Sequence, residues 1–509
     1  MKLREYHAVQ WSEPIIHELN SPGERGFIPP NSEKKIKERV GSGSSLIPDG
    51  MKRNQKLDLP ELSQAQVLRH YLRLSQMTLG MELDIDLGVG TCTMKYSPKV
   101  NEELAFMIKD IHPLQPEETI QGLLEIAFKF GDVFLREISG MDAFSYQPPG
   151  GSAGCYNNAL IMRKYHADRG EAYRDEAITT IFSHPCDAAT PATAGYKVIT
   201  LYPDPETGLP DTEALKEAVG PHTAGCFITN PEDIGIFNRH IDEWTGIIHD
   251  AGGLCSYDQA NANAIMGVTR ARDAGFDMLF VNLHKTFSSP HGSSGPGLAA
   301  IGVTKDLEEY LPIPVIVEKD GGYRLDYDRP KSIGKVRDFL GNLPVVVRSY
   351  AWCMAMGAKG LREAAEVSMI NNQYLVEKVK KIKGVSLTYP ARRVDQARWS
   401  LEEMKKDTGI GVGDMNRRVI DYGVQHYFTS HHPWLIPEPF TPEPCETYSK
   451  EDIDYWCMVL EKVSEEAYAD ADLLKSAPHN SSIHKVDWDG FDDPKRWAMS
   501  WRAYKRKQR

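Results

Sequence analysis

Lys285 closes the apolar run "FDMLFVNLHK", and Asp258 closes the run "GLCSYDQA" 27 residues before it. Residues 150–154, "GGSAG", form a small-residue turn directly before the helical pattern "CYNNALIMRKY". An amine at a strand end can form a Schiff base with an aldehyde. A carboxylate one crossover earlier can hold a pyridine nitrogen protonated. A helix start preceded by small residues offers free backbone N–H groups and the positive end of a helix dipole, which suits a phosphate. Each feature alone is common. A glycine pair is often only a tight turn, an Asp at a strand end is usually a cap, and a lone Lys is nearly always a solvated charge. Together, in this order, they describe a site for pyridoxal 5′-phosphate (PLP).

Such a site needs strands whose ends converge. Six short apolar runs supply candidates: 177–184, 197–204, 225–231, 253–260, 278–285 and 298–303. Helical patterns at 212–219 and 241–251 lie between them. Strands interleaved with helices predict an α/β fold with a mostly parallel sheet, and ligands of such sheets bind beyond the carboxyl ends of the strands. Residues 1–60, rich in Pro, Gly, Ser and charge, read as an extended arm lying on the protein's own body or on a partner chain. A large PLP-binding domain is expected over 61–345. It opens with a helix that carries Val67, Leu68, Tyr71 and Leu72 on one face. Ser63 and Gln66 match a capping box there, with Leu62 placed to staple onto Val67. Longer helices, such as "KGLREAAEVSMINNQYLVEKVKKI", then mark a smaller C-terminal α+β domain over 346–475, followed by a charged tail over 476–509.

The composition excludes several classes. Of 509 residues, 41% are hydrophobic and 26% charged, as in an ordinary globular protein. A net charge of −12 speaks against nucleic-acid binding, which favours a basic face. No stretch approaches the ~20 apolar residues of a membrane span. The start, "MKLREYHAVQWSEP", has no apolar core of a signal peptide, so a soluble, cytoplasmic protein is expected. The eight cysteines show no CxxC spacing and read as reduced thiols. His426, His431 and His432 could bind a metal, but a polar loop or site rim is the preferred reading, and no metal is expected.

Five motifs carry a resemblance: "GTCTMKYSPKVNEE" (90–103), "HPLQPEETIQGLLE" (112–125), "SGMDAFSYQPPGG" (139–151), "FDMLFVNLHKTFSSPHGSSGPG" (276–297) and "KGLREAAEVSMINNQYL" (359–375). They resemble the P-protein family of the glycine cleavage system, in particular the PLP-holding chain of its two-subunit form. The correspondence runs in order from about residue 8 to residue 480. The resemblance implies a fold-type I PLP enzyme, with Lys285 carrying the cofactor and Asp258 pairing with its ring nitrogen. Gly151, Ser152, Ala153 and Thr286 would lie near the phosphate, Asn230 would face the cofactor, and "HGSSGPG" would wrap the site. The implied reaction removes the carboxylate of glycine, or of a similar small amino acid, as CO2 and passes the aminomethyl group to the lipoyl arm of H-protein. Implied partners are H-protein and a subunit 1-like chain, in a dimer or heterotetramer.

The sequence also departs from the family pattern. Ala153 and Cys155 replace the His and Glu of the phosphate loop, and Ser293 and Ser294 replace glycines. Asp187 stands where the family places the histidine that stacks on the PLP ring, and a carboxylate is a poor stacking group. His184, three residues earlier, is the candidate to reach in instead. Arg392, Arg393 and Arg398 are possible carboxylate ligands. The alternative reading is therefore a divergent PLP enzyme, such as a stand-alone decarboxylase, an aminotransferase or a retro-aldol lyase, acting on another amino acid without H-protein. A third class, a non-catalytic cofactor-binding subunit, has no chemical need for both Lys285 and Asp258.

Overall fold

The computed structural model describes residues 2–80, 83–88, 90, 95–290, 297–424, 429–483, 485, 493, 495, 497–498 and 500–507. Cys92, His291, Ser293, Ser294 and His426 lie outside the described residues, as does all of "HGSSGPG" except Gly297. The chain forms two compact units. One is built from residues 85–419 and 424–475, the other from 4–84, 420–423 and 476–509.

The first unit holds a seven-stranded sheet. Its strands are β1 (Ala143–Ser145), β2 (Glu176–Thr180), β3 (Lys197–Leu201), β4 (Thr223–Thr229), β5 (Leu254–Asp258), β6 (Met278–Asn282) and β7 (Ala299–Val303). Their order is β1-β7-β6-β5-β4-β2-β3. The six apolar runs of the sequence all fall on strands, β2 to β7. Neighbours from β3 through β6 are parallel, whereas β7 runs antiparallel to both β6 and β1. This is the mostly parallel α/β sheet expected from the sequence.

Successive residues of these strands point to opposite faces, and both faces are covered. Cys226, Ile228, Tyr257, Leu279 and Val281 belong to one core, with Trp244 and Ile248 of the 241–250 helix and Leu123 and Leu124 of the 121–129 helix. Phe227, Leu254, Met278 and Phe280 belong to the other, with Ala159 and Met162 of the 151–168 helix. Burial on both faces is why these strands read as unbroken apolar runs and not as alternating ones. Each fully buried Phe or Leu contributes about 1.5–3 kcal/mol, so the central strand ends sit on a stiff base.

The 151–168 helix must come very close to β6 and β7. A Cβ on Gly154 would stand 2.9 Å from Phe280 Cβ and 3.1 Å from Ala299 Cβ. Neither is the free end of a flexible side chain. Gly154→Ala is expected to cost about 1–3 kcal/mol, seen as a lower urea midpoint with an unchanged m-value. A wild-type midpoint would mean that the helix lifts off the sheet without cost.

A helix over Leu343–Val379 follows, broken at Gly357, where φ is 62° and ψ 176°. Its second half starts almost where the sequence run at 359 predicts. In the other unit, Ser63 and Gln66 form the expected capping box at the head of the Gln64–Gln76 helix. The packed face of that helix is not the expected one. Leu68, Tyr71 and Leu72 are exposed, while His70 is buried and bonded to Glu13 at 2.8 Å. Glu13 also pairs with Arg73 at 3.1 Å. Two basic side chains meeting one acid therefore set the helix orientation against the N-terminal segment.

Candidate active site

β4, β5 and β6 end side by side, with Thr229 opposite Asp258 and Asp258 opposite Phe280. Asp258 is the last residue of β5. Lys285 lies three residues beyond β6, in a one-turn helix over Leu283–Thr286, so it follows the strand rather than closing it. Lys285, Asp258 and His184 line one small cavity together with Asp233, Asp395 and Gln396. Asp258 Oδ1 accepts the Ala260 N–H at 2.8 Å. Burial pushes its carboxyl up to about 6, against the pull of that N–H and of the Lys285 charge.

His184, not Asp187, faces the cavity. Its backbone N–H donates to Thr229 Oγ1 at 3.0 Å, and its Nδ1 accepts the Cys186 N–H at 3.1 Å. An accepting Nδ1 puts the proton of the neutral ring on Nε2. Burial lowers the ring's pKa to about 4, with Asp233 opposing and Lys285 adding to the shift. The ring is therefore neutral at physiological pH. Asp187 is buried behind the cavity: Thr229 Oγ1 donates to its Oδ2 at 2.9 Å, and Cys155 Sγ lies 3.3 Å from its Oδ1. The two family departures at 155 and 187 thus contact each other.

The 151–168 helix begins at Gly151, and Gly150 before it provides no side-chain cap. A Cβ on Gly151 would meet Asn282 Nδ2 at 2.8 Å, so this turn of backbone is seated on the end of β6. Ser152 is exposed and Ala153 half-buried at the same helix start. Thr286 is buried, with its Oγ1 accepting the Ala262 N–H at 2.8 Å. Asn230 lies one residue past β4, and its Oδ1 accepts the Asn238 N–H at 2.8 Å, which anchors the 230–238 loop; like Gly151, Ser152, Ala153 and Thr286, it does not line the small cavity. His284, beside the lysine, takes the Leu298 N–H on Nδ1 at 3.1 Å, a structural bond.

Several site groups were not singled out from the sequence. Asp233 is buried next to Arg398 (3.6 Å) and His431 (3.3 Å). Burial works against its charge, but the His431 bond and the charge of Arg398 hold it well below the usual carboxylate range. Of the three arginines considered, Arg398 is the one that reaches this cluster. Arg393 is buried on the Tyr389 and Ala391 carbonyls, and Arg392 is exposed. Asp395 Oδ1 has no hydrogen-bond partner, and burial raises its carboxyl to about 7. Behind it, Glu443 accepts from the Asn261 and Asn263 amides at 2.5 and 2.9 Å and is pushed up to about 8 by burial and by Asp395. A cavity with one amine, one ion-paired carboxylate and several near-neutral acids can hold a cationic ring and accept protons near pH 7. The seven described cysteines are all free thiols. Among the described residues, no helix is long and apolar enough to cross a membrane.

Known proteins resemble this chain in sequence and in fold. The family model for the glycine dehydrogenase C-terminal domain matches residues 364–482. The chain is 43% identical over 504 residues to a protein of Pyrococcus furiosus named probable glycine dehydrogenase (decarboxylating) subunit 2, covering 98% of each. A protein of Caldanaerobacter subterraneus with the same name is 40% identical, covering 95% of this chain and 97% of its own. Among solved structures, glycine decarboxylase (P-protein) of the glycine cleavage system, in inhibitor-bound form, aligns with a TM-score of 0.71 at 20% identity, over 86% of this chain and all of that one. The sphingosine-1-phosphate lyase of Burkholderia pseudomallei aligns at 0.59 and 13% identity, over 85% of this chain and 96% of its own.

Proposed function

The chain belongs to the family of glycine dehydrogenase (decarboxylating) subunit 2, with the fold of glycine decarboxylase, and we propose that it is the PLP-holding subunit that decarboxylates glycine. The observation that carries this reading is the convergence of Lys285, Asp258 and the neutral His184 on one cavity. The residues fit PLP. The helix start at Gly151–Ala153 has no side-chain cap, Gly151 leaves no room for a Cβ, and Asp258 is a buried carboxyl near a lysine.

In this reading the Gly151–Ala153 N–H groups and the Ser152 hydroxyl hold the phosphate, with Thr286 stiffening the lysine turn through Ala262. Lys285 provides the amine for covalent attachment. Asp258 would keep a proton on the ring nitrogen, and His184 is the cavity side chain that would pack beside the ring. Bound PLP supplies the protonated ring that takes up the electron pair left when the bond from Cα to the carboxylate breaks. Arg398, paired with the cavity residue Asp233, is the guanidinium placed to meet a substrate carboxylate. Asp395, whose Oδ1 has no hydrogen-bond partner and whose carboxyl is raised to about 7, can in its ionised form accept a proton from the substrate ammonium. The contact between Cys155 and Asp187 accounts for two departures from the family away from the cavity lining, and this supports glycine over a different substrate.

The same reading assigns a subunit 1-like chain and lipoyl H-protein as partners, the latter receiving the aminomethyl group, and a cytoplasmic location. It also keeps a large domain to residue 345 and a smaller one beyond it. The test is borohydride reduction of the full-length chain with PLP, followed by peptide mapping. A pyridoxyl mass on the Lys285 peptide is expected; label confined to surface lysines would overturn the assignment.

Asp258 also sets a pH limit. Its folded-state pKa is raised to about 6, so below that pH it is protonated and offers no anion to a ring cation. PLP affinity should fall about tenfold per pH unit below about 6, as for one linked proton. Absorbance titrations between pH 5 and 7 would show this limb, and Asp258→Asn should flatten it. An identical limb in the variant would assign the proton elsewhere.

A further inference from the structure

Behind the cavity, two buried carboxyls share one thiol. Cys186 Sγ lies 4.0 Å from Asp187 Oδ1 and 3.9 Å from Asp258 Oδ2. Cys155 Sγ, Cys186 Sγ and the Asp187 carboxyl all lie within 4.8 Å of one another, as do the His184 ring, Cys186 Sγ and the Asp258 carboxyl. Asp187 is 1% exposed. Its hydrogen-bond partners are a hydroxyl, two thiols and the Asp258 carboxyl, and among the described residues no cation pairs with it.

The proton inventory is restrictive. Thr229 Oγ1 already accepts the His184 N–H, so its own hydrogen goes to Asp187 Oδ2. That leaves Oδ1, facing the two sulfurs, as the oxygen able to carry a proton. A buried carboxylate with no cation is neutralised rather than tolerated, and two close carboxyls do not both ionise. We propose that Asp187 is held as a neutral carboxylic acid, a positioning residue that leaves Asp258 the single anion of the pair and ties the His184 turn in place through Thr229. This rests on the reading that Asp258 and His184 hold PLP.

Burial, together with the nearby Asp258 and Cys155, holds the Asp187 carboxyl well above the usual carboxylate range, which agrees. The titratable groups around the pair come from every element packed there: Cys155 on the 151–168 helix, Cys186 and His184 at the start of the 186–193 helix, and Lys285 and Asp233 across the cavity.

The first test needs no cofactor. An infrared difference spectrum of the full-length chain, wild type minus Asp187→Asn at neutral pH, should show a protonated-carboxyl C=O band that shifts in D2O. Other buried acids, such as Glu232 and Glu443, cancel in the difference. The second test follows the pH midpoint of PLP uptake. Replacing a neutral acid by a neutral amide should move it by less than about half a pH unit. Loss of a neighbouring negative charge would instead lower it by about a unit or more. Asp187→Ala, which cuts the bond to Thr229, should bind PLP about tenfold more weakly than Asp187→Asn.

A missing band or a lowered midpoint overturns the neutral acid, and equal affinities of the Ala and Asn variants overturn the positioning role. A chain that shows the band but takes up no PLP overturns the functional reading alone. One that binds PLP and lacks the band overturns this inference alone.

Discussion

Replacing Lys285 with alanine is expected to abolish both the covalent attachment of PLP and CO2 release from glycine. The purified wild type should be yellow, with a visible absorbance removed by borohydride, and the variant should show neither. Lys285 is buried at the turn after β6, on the same cavity as Asp258. Among the described residues no other lysine lines that cavity, so none of them can take over the attachment. The loss should exceed the ~10²–10⁴-fold typical of removing an acid–base group, because the covalent link itself disappears. The fold should survive, since Asp258, left without the Lys285 charge, takes up a proton instead of remaining a bare buried anion. A matching thermal transition would separate lost chemistry from lost structure.

The second large effect is expected at Asp258. Asp258→Ala should lower CO2 release by about 10²–10⁴-fold while Lys285 can still be labelled by PLP and borohydride. The carboxyl is fully enclosed at the end of β5, with Oδ1 fixed by the Ala260 N–H. Without it, nothing on that side holds a proton on the ring nitrogen. Asp187, which faces Thr229 and the Cys155 thiol behind the cavity, cannot substitute. The measurement is a parallel comparison of label incorporation and turnover. Equal turnover in the variant would remove Asp258 from the chemistry.

Much of this site was legible because its main residues close or open regular elements. Asp258 and Lys285 follow apolar runs that form strands, and Gly151 opens a helix, so chain direction alone brings them to one sheet edge. The turn after β2 was harder to read. Whether position 184 or 187 faces the cavity depends on bonds made by Thr229, which lies 45 residues from His184. No local pattern encodes that choice. Asn230 follows a strand end as a ligand-facing residue would, and its bond to Asn238, eight residues on, has no local pattern either. Asp233, Asp395 and Glu443 lie in loops, where charge reads as solvated, and only the tertiary fold buries them. Their one sequence-level signal was weak: Asp395 and Arg398 stand in the segment "RRVDQARWS" already considered for its arginines.

The fold shows the same division. Buried on both faces, β4, β5 and β6 announce themselves as apolar runs. β1 has only three residues, too few to show a period, and its antiparallel pairing with β7 joins segments about 160 positions apart. The Gln64–Gln76 helix was recognised through its cap, but its packed side was misread, because polar bonds from His70 and Arg73 to Glu13 outweigh its apolar stripe.

The most direct measurement is CO2 release from carboxyl-labelled glycine by the PLP-loaded chain with a subunit 1-like chain and lipoylated H-protein, beside a control without H-protein. Release that requires H-protein and disappears in Lys285→Ala is the expected result. No release from protein that holds PLP on Lys285, or release indifferent to H-protein, would contradict the assignment of this chain as a glycine-decarboxylating subunit.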